Sequence, residues 1–234
     1  MKKSTNIPVL SSLKWKRRER TILCSLATGS EHLEMLGLMA PTAAYYAQLH
    51  RMDSLLLPLP DKRLDPSRPP AWDKIVLIHH MLKLYETVIW IDADAIFCDP
   101  RKDIRTVLNT RTPMHMVAHR TGRRKIPNTG VWICRSLPKT FEMLHHIWNS
   151  TQYVDHRWWE QAALMELIGY DTESATFRGA TPYTPHVRFI DREWNSRSSD
   201  CAVNPIIYHY CSKPKPIDDM YRKYVAFMQR VLQM

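Results

Sequence analysis

The chain has 234 residues, of which 44% are hydrophobic and 24% are charged, so it has the composition of a globular protein and not of a disordered one. Its six glycines form neither G-x-G-x-x-G nor G-x-x-x-x-G-K-[ST], which excludes the two common glycine-rich phosphate loops. The formal net charge is +10, but the basic residues concentrate in residues 1–20 and 111–125 and leave a near-neutral body, which disfavours nucleic acid as the main partner.

The predicted elements begin after a basic segment. Residues 1–20 are predicted to form a flexible arm, and residues 21–234 a single domain. Apolar runs between turn residues predict strands at 21–27, 55–57, 87–91, 114–118, 131–134, 187–190 and 206–210. Apolar spacing predicts helices from Ser30 onward, with a kink or break at Pro41, and at 71–85, 138–149, 157–168 and 217–232. Five prolines predict a loop over 58–70. Alternating strands and helices predict an α/β fold with a mainly parallel central sheet.

The cysteines and the termini bear on the cellular compartment. Five scattered cysteines without a C-x-x-C pair favour reduced thiols over a disulfide framework. No apolar run approaches the ~18 residues of a membrane span, and the first residues lack the apolar core of a signal peptide. We therefore expect a cytoplasmic protein, peripheral to an anionic membrane if the basic arm contacts one. The basic segment at 111–125 is either a solvated loop or a cationic wall of the active-site mouth.

Two carboxylates end the apolar run at 87–91, in the sequence I-D-A-D-A-I. Asp92 and Asp94 would face the same way in an extended chain, because side chains alternate along a strand. Ligands of open α/β sheets bind beyond the carboxyl ends of the strands, and carboxylate oxygens suit Mg²⁺ or Mn²⁺, which could hold a diphosphate. A D-x-D sequence alone is equally compatible with a capped turn.

Several motifs follow one another in a recognisable order: W-D-K at 72–74, I-D-A-D-A-I at 91–96, N-T-G-V-W at 128–132, W-E-Q at 159–161 and H-Y-C-S-K-P-K-P at 209–216. Together they resemble the fungal Golgi galactosyltransferases and mannosyltransferases, and also GT-A glycosyltransferases such as glycogenin and the bacterial lipopolysaccharide galactosyltransferases. The resemblance spans residues 21–216 and implies one Rossmann-like GT-A domain of a nucleotide-diphospho-sugar transferase. It implies retaining transfer of a hexose from a nucleotide-diphosphate sugar, foremost a UDP-sugar, to an acceptor hydroxyl. Ser212 replaces a glycine of the family pattern.

The resemblance also implies roles for individual residues. Asp92, Asp94 and His209 match the metal ligands, and a mixed carboxylate and imidazole set suits Mn²⁺ better than Mg²⁺. Glu160 and Gln161 match the catalytic acid and amide near the reacting carbon, with a carboxylate nucleophile and front-side attack both open. The implied donor-binding residues are Thr28, Lys74, Ala93, Asn128, Gly130 and Lys215, and the weaker candidates are Asp191 and Asn195.

Other interpretations compete with these. His209 could be a hydrogen-bonded core histidine, and Glu160 and Gln161 could be ordinary polar groups of a first helical turn. A metal-dependent nucleotidyltransferase or phosphohydrolase could use the same Asp pair. A binding protein whose arm holds nucleic acid or an anionic membrane is a third hypothesis. The sequence leaves the acceptor open among a glycan, a lipid carrier, a protein and a small molecule.

Overall fold

The computed structural model of the protein describes residues 6–8, 21–122, 124–211 and 217–234. Most of the predicted arm, together with Ser212 and Lys215, lies outside the described residues. The strands are β1 (Thr21–Ala27), β2 (Asp53–Pro58), β3 (Thr87–Ile91), β4 (Ala95–Phe97), β5 (Met114–Thr121), β6 (Arg124–Arg135), β7 (Val187–Ile190) and β8 (Ile207–His209). The α-helices are α1 (Ser30–Leu49), α2 (Asp73–Met81), α3 (Pro138–Asn149), α4 (Trp159–Leu167) and α5 (Ile217–Val231).

The central sheet has six strands in the order β2-β1-β3-β6-β5-β7. Parallel ladders join β1 to β2 and to β3, and β5 to β7. β6 runs antiparallel to both of its neighbours, β3 and β5. Five strands of this sheet therefore point in one direction, which confirms the α/β fold with a mainly parallel sheet. β4 and β8 form a separate antiparallel pair.

The central sheet is covered on both faces. Alternation along β3 sends Val88 and Trp90 into a core with α2, α3 and α4, and Ile89 and Ile91 into a second core with α1 and α5. Burial on both faces explains why β1 and β3 are nearly continuous apolar runs and not alternating ones. None of the helices in the described part of the chain is long and apolar enough to cross a membrane.

Most predicted elements are confirmed, several of them with different bounds, and one strand of the structure was not predicted. The helix α1 continues through Pro41 without a break, because Met39 and Ala43 on either side are both fully buried against the same core. The helix predicted to start at residue 71 begins with a 3-10 turn at Pro70–Trp72, and α2 ends at Met81. The strand β4 was not predicted, because three residues are too few to show a periodicity.

Candidate functional site

Three chain segments meet beyond the carboxyl end of β3. The turn after β3 is tied to β6 by a hydrogen bond of 2.7 Å from the Asp92 amide to the Gly130 carbonyl. The pair of β4 and β8 places His209 opposite Ala95, and the Tyr210 amide donates to the Asp94 carbonyl over 2.8 Å. The small second sheet therefore brings a histidine distant in sequence onto the two aspartates.

Asp92 and Asp94 lie in a tight turn, and the extended chain expected there is wrong. The Ala95 amide donates to the Asp92 carbonyl over 3.0 Å, which closes the turn. The carboxylates still converge: one ligand atom from each of Asp92, Asp94 and His209 lies within 4.8 Å of the other two. The Nε2 of His209 is 3.2 Å from Asp94 Oδ1 and 3.8 Å from Asp92 Oδ2. The structure thus brings together all three residues predicted to hold a metal.

The electrostatics of this cluster favour a cation. Burial lowers the pKa of His209, but the neighbouring Asp94 and Asp92 outweigh burial and raise that pKa above its usual range. Burial acts to raise the pKa of Asp94, but the attraction of His209 holds it below its usual range. The two carboxylates therefore create a negative potential at Nε2, and a divalent ion in contact with all three side chains would be stabilised by it.

The ring of His209 is oriented from behind by Asn195. The distance from His209 Nδ1 to Asn195 Oδ1 is 3.0 Å, and since an amide oxygen only accepts, Nδ1 carries the proton. Nε2 faces the aspartates, and a metal ion would take the place of the proton that they favour there, as in metal-binding histidines held through their other ring nitrogen. Asn195 is fully buried and donates from Nδ2 to Asn128 Oδ1 over 2.8 Å. Asn195, predicted as a weaker substrate-binding candidate, lies beneath a predicted metal ligand.

Gly130 has a steric role at the same place. A Cβ atom added to Gly130 would lie 2.1 Å from Cε1 and 2.6 Å from Nδ1 of His209. Real Cβ atoms do not approach other heavy atoms this closely, so only glycine leaves room for the imidazole. Gly130 was predicted to line the sugar site, and its position directly against His209 was not foreseen.

A buried lysine links the metal cluster to the predicted catalytic acid. Lys74 Nζ is 2.9 Å from Asp92 Oδ1 and 2.8 Å from Glu160 Oε1. Burial lowers the pKa of Lys74, but the charges of Asp92 and Glu160 together raise it above its usual range. Glu160 also accepts a hydrogen bond of 2.9 Å from Thr129 Oγ1 and is only 2% exposed. Lys74 therefore stays charged and holds the carboxylate of Glu160 in place.

Gln161 contacts the N-T-G segment of β6. Its Oε1 accepts from Asn128 Nδ2 and from the Thr129 amide, both over 3.2 Å. The side chain is only partly buried, unlike that of Glu160. Gln161 and Asn128 thus form one hydrogen-bonded surface beside the metal cluster.

The remaining predicted residues divide into three groups. Thr28 follows β1 at the same sheet edge as Asp92, and Ala93 is buried within the Asp92–Asp94 turn. Asp191 lies apart from the hydrogen-bonded cluster and lines a neighbouring groove of about 420 Å³. Lys215 lies outside the described residues.

Two contacts were missed by the sequence reasoning. Trp90 Nε1 donates to Asp92 Oδ1 over 2.6 Å, although Trp90 reads as an ordinary residue of a buried strand. Thr129 contacts Glu160 and was passed over inside the N-T-G motif. An aromatic residue with a polar edge, two residues before a carboxylate and on the same strand face, is the pattern that could have revealed the first contact.

Comparison with protein families identifies the chain. The model of the nucleotide-diphospho-sugar transferases matches residues 70–213, which is more than half of the chain and includes Lys74, Asp92, Glu160 and His209. The chain belongs to the nucleotide-diphospho-sugar transferase family. It is therefore a glycosyltransferase. No curated protein sequence matches it at a significant level.

Solved structures with the same fold are glycosyltransferases of low sequence identity. A glycosyltransferase involved in glycosylation of the major capsid of PBCV-1 aligns with a TM-score of 0.65 at 13% identity, over 90% of this chain and 99% of that one. The galactosyltransferase LgtC, in complex with donor and acceptor sugar analogues, gives 0.58 at 11% identity, over 88% and 95%. A Drosophila β-1,4-galactosyltransferase 7 mutant, in complex with manganese, UDP-Gal and xylobiose, gives 0.52 at 10% identity, over 86% and 73%. These likenesses establish the GT-A fold; the closer resemblance to the fungal Golgi enzymes stays a prediction.

Proposed function

We propose that this glycosyltransferase moves a hexose from a UDP-sugar to an acceptor hydroxyl, with Mn²⁺ bound and with retention of configuration. The observation that carries the proposal is the convergence of Asp92, Asp94 and His209 within 4.8 Å. A nucleotide-diphospho-sugar donor, which the family uses, needs its diphosphate charge neutralised. The Drosophila neighbour binds manganese and UDP-Gal, which is compatible with the same donor class here.

The residues present fit the proposed metal. Two carboxylates and one imidazole are hard and intermediate ligands, a set that suits Mn²⁺ better than Mg²⁺. When bound, the ion would act as a Lewis acid that stabilises the negative charge of the departing diphosphate. Asn195 would keep the proton on Nδ1 of His209 and so hold Nε2 available. Lys215 is proposed to contact the same diphosphate.

The transfer itself forms one bond and breaks another. The acceptor oxygen bonds to the anomeric carbon, the bond from that carbon to the diphosphate oxygen breaks, and the acceptor proton leaves with the diphosphate. The carboxylate of Glu160 is held by Lys74 and Thr129 and is nearly inaccessible. This arrangement supports a positioning role for Glu160 and front-side attack in place of a carboxylate nucleophile.

The other side chains are proposed to bind the donor. Gln161, with its partly exposed amide, is the proposed contact to the reacting sugar, and Asn128 and Gly130 are proposed to line the sugar pocket beside it. Ala93 and Thr28 are proposed to lie near the ribose and the base. The cytoplasmic location and the membrane contact of the basic arm also stay predictions.

The proposal is tested with Asp94→Asn, which removes a charge from the metal cluster at nearly constant volume. We expect Mn²⁺-dependent turnover of UDP-sugars, followed as UDP release, to fall about a hundredfold or more. Asp61→Asn in an exposed loop is the matched control and should keep full turnover. A melting-temperature panel of nucleotide-sugars with Mn²⁺ identifies the donor, because a ligand at ~100 times its Kd stabilises the native state by about 2.7 kcal/mol. Pyrophosphate release from nucleoside triphosphates, without UDP-sugar turnover, would instead favour the nucleotidyltransferase or phosphohydrolase.

A further inference from the structure

Two grooves meet beside β6, the strand that carries Asn128 and Gly130. The larger, which we call the apolar groove, has a volume of about 710 Å³ and is lined by Ile168, Tyr170, Phe177 and Val187. The smaller, which we call the polar groove, is the 420 Å³ groove that contains Arg120 and Asp191. The grooves share Lys125 and Phe189, so they lie side by side, and we call the two together the channel. Their volumes lie in the range of known ligand sites, roughly 300–1,000 Å³.

The apolar groove is preformed and exposes aromatic surface. Phe177 is 52% exposed and Phe189 is 39% exposed, which is unusual for two neighbouring phenylalanines. The wall that carries Phe177 is fixed by hydrogen bonds from the Arg178 amide to the Gly169 carbonyl (2.8 Å) and from Thr184 Oγ1 to the Ile168 carbonyl (2.9 Å). A Cβ on Gly169 would lie 1.9 Å from the carbonyl oxygen of Gly179, so this wall packs tightly onto the end of α4. The exposed phenylalanine rings therefore line a surface whose backbone is held in place by hydrogen bonds and tight packing.

The cations beside this groove lack acidic partners. Arg120 and Lys125 are register partners across the antiparallel pair of β5 and β6, and Arg124 follows on the same hairpin. Like charges directly opposite each other destabilise a sheet. Among the described residues, none of these three cations forms an ion pair with an acidic side chain. Asp200, which lines the polar groove, accepts a hydrogen bond of 2.8 Å from the Arg120 amide and is paired with Arg192 at 3.0 Å.

The spacing along β6 connects these cations to the candidate site. Lys125 precedes Asn128 by three residues, which corresponds to about 10 Å along a strand. Because three is an odd spacing, Lys125 and Asn128 leave opposite faces of β6, so an acceptor bound at Lys125 would reach a sugar held at Asn128 around the edge of β6 that β3 leaves unpaired before residue 131. A hydrocarbon chain that extends from Lys125 away from Asn128 would pass Phe189 and enter the apolar groove.

We propose that this channel binds the acceptor, and that the acceptor is a lipid whose phosphate joins the hydrocarbon chain to a headgroup that carries the hydroxyl to be glycosylated. The hydrocarbon chain occupies the apolar groove, and the phosphate lies between Arg120 and Lys125, where it relieves their repulsion. The end of the basic segment that carries Arg120, Arg124 and Lys125 is then a wall of the active-site mouth and not a merely solvated loop. The claim that the bound lipid is the acceptor rests on the proposed function. The claim that the channel binds a lipid phosphate does not.

The test measures binding to the full chain by calorimetry, without metal or donor. The probe is decyl phosphate below its micellar concentration, compared with decanol and with inorganic phosphate. We expect decyl phosphate to bind at least tenfold more tightly than either partial probe. Phe177→Asp and the double variant Arg120→Glu, Lys125→Glu should each weaken it about tenfold or more. The matched controls are Arg111→Glu, an exposed cation near the other end of β5, and Leu232→Asp, which is 84% exposed; both should leave the affinity unchanged.

Two results would overturn the proposal. One is decyl phosphate binding no tighter than decanol or inorganic phosphate; the other is tight binding that the groove variants do not weaken. Concentration-dependent self-association abolished by Phe177→Asp would assign the groove to a second copy of the chain and also count against a lipid. UDP-sugar binding with Mn²⁺ is measured separately and depends on Asp94. A protein that binds decyl phosphate but no nucleotide-sugar would refute the proposed function and leave the lipid site standing.

Discussion

Gly130→Ala is the most direct test of how the metal cluster is built. The new methyl group would meet Cε1 of His209 at 2.1 Å, and ordinary contact starts near 3.4 Å, so the imidazole must move by more than 1 Å. His209 is 2% exposed and bonded to Asn195, so it has no free space to move into. The φ angle of Gly130 lies outside the left-handed region, so the clash with His209 is the perturbation.

Two effects follow from this clash. Overpacking of a buried site costs about 1–3 kcal/mol of folding stability. Misplacing a ligand by loss of its support lowers metal affinity about 10- to 100-fold. We therefore expect Gly130→Ala to melt at a lower temperature, to bind Mn²⁺ 10- to 100-fold more weakly by calorimetry, and to lose UDP-sugar turnover by a similar factor.

The chain offers a matched control in Gly37→Ala. Gly37 lies within α1, and a Cβ atom there would meet no heavy atom within 4 Å. Alanine is favoured over glycine in a helix by roughly 0.5–1 kcal/mol, so this variant should be slightly more stable and should keep full metal affinity. If Gly130→Ala bound Mn²⁺ as well as the wild type does, His209 would not be a ligand and the three-residue metal centre would be refuted.

Two further variants test the surrounding network, and a third tests a buried histidine of β5. Asn195→Ala removes the acceptor for His209 Nδ1, and we expect calorimetry to show about 10- to 100-fold weaker Mn²⁺ binding in a folded protein. Lys74→Met leaves buried carboxylates uncompensated and should lower the free energy of unfolding by about 3–5 kcal/mol in urea titrations, with partial recovery on adding Glu160→Gln. His115 has a pKa lowered from 6.5 to about 4 by burial. As the pH falls, His115 takes up a proton in the unfolded chain at a higher pH than in the folded chain. The free energy of unfolding should therefore decrease between pH 6.5 and 4, by up to about 3 kcal/mol. His115→Gln should make this decrease smaller.

The layered fold was predictable because its elements carry local patterns. The helix at 138–149 and the strands at 87–91 and 187–190 match the structure at both ends, since each is a distinct periodic or apolar run. The strand at 131–134 was too short by seven residues at its start, because Arg124 and Lys125 do not resemble strand residues. That hairpin is exposed, so no apolar pattern marks it.

The candidate site was predictable in its members but not in its contacts. Asp92, Asp94 and His209 were named from motif order, and the structure places them together through a turn and a second small sheet that no local pattern specifies. Lys74 and Glu160 were named separately, and their ion pair joins α2 to α4 across 86 residues of sequence. Pairings of this length depend on how the layers pack, which a single sequence does not encode locally.

The contacts of Asp92 show why the lysine belongs to this site and not only to the core. Its Oδ1 receives Lys74 Nζ at 2.9 Å and Trp90 Nε1 at 2.6 Å, whereas Oδ2 faces Nε2 of His209 at 3.8 Å. One oxygen is thus occupied by protein donors, which fixes the carboxylate plane and directs the other oxygen toward the position between His209 and Asp94. Since Lys74 also binds Glu160, a single buried charge sets the orientation of both the metal-facing carboxylate and the acid beside the proposed sugar pocket.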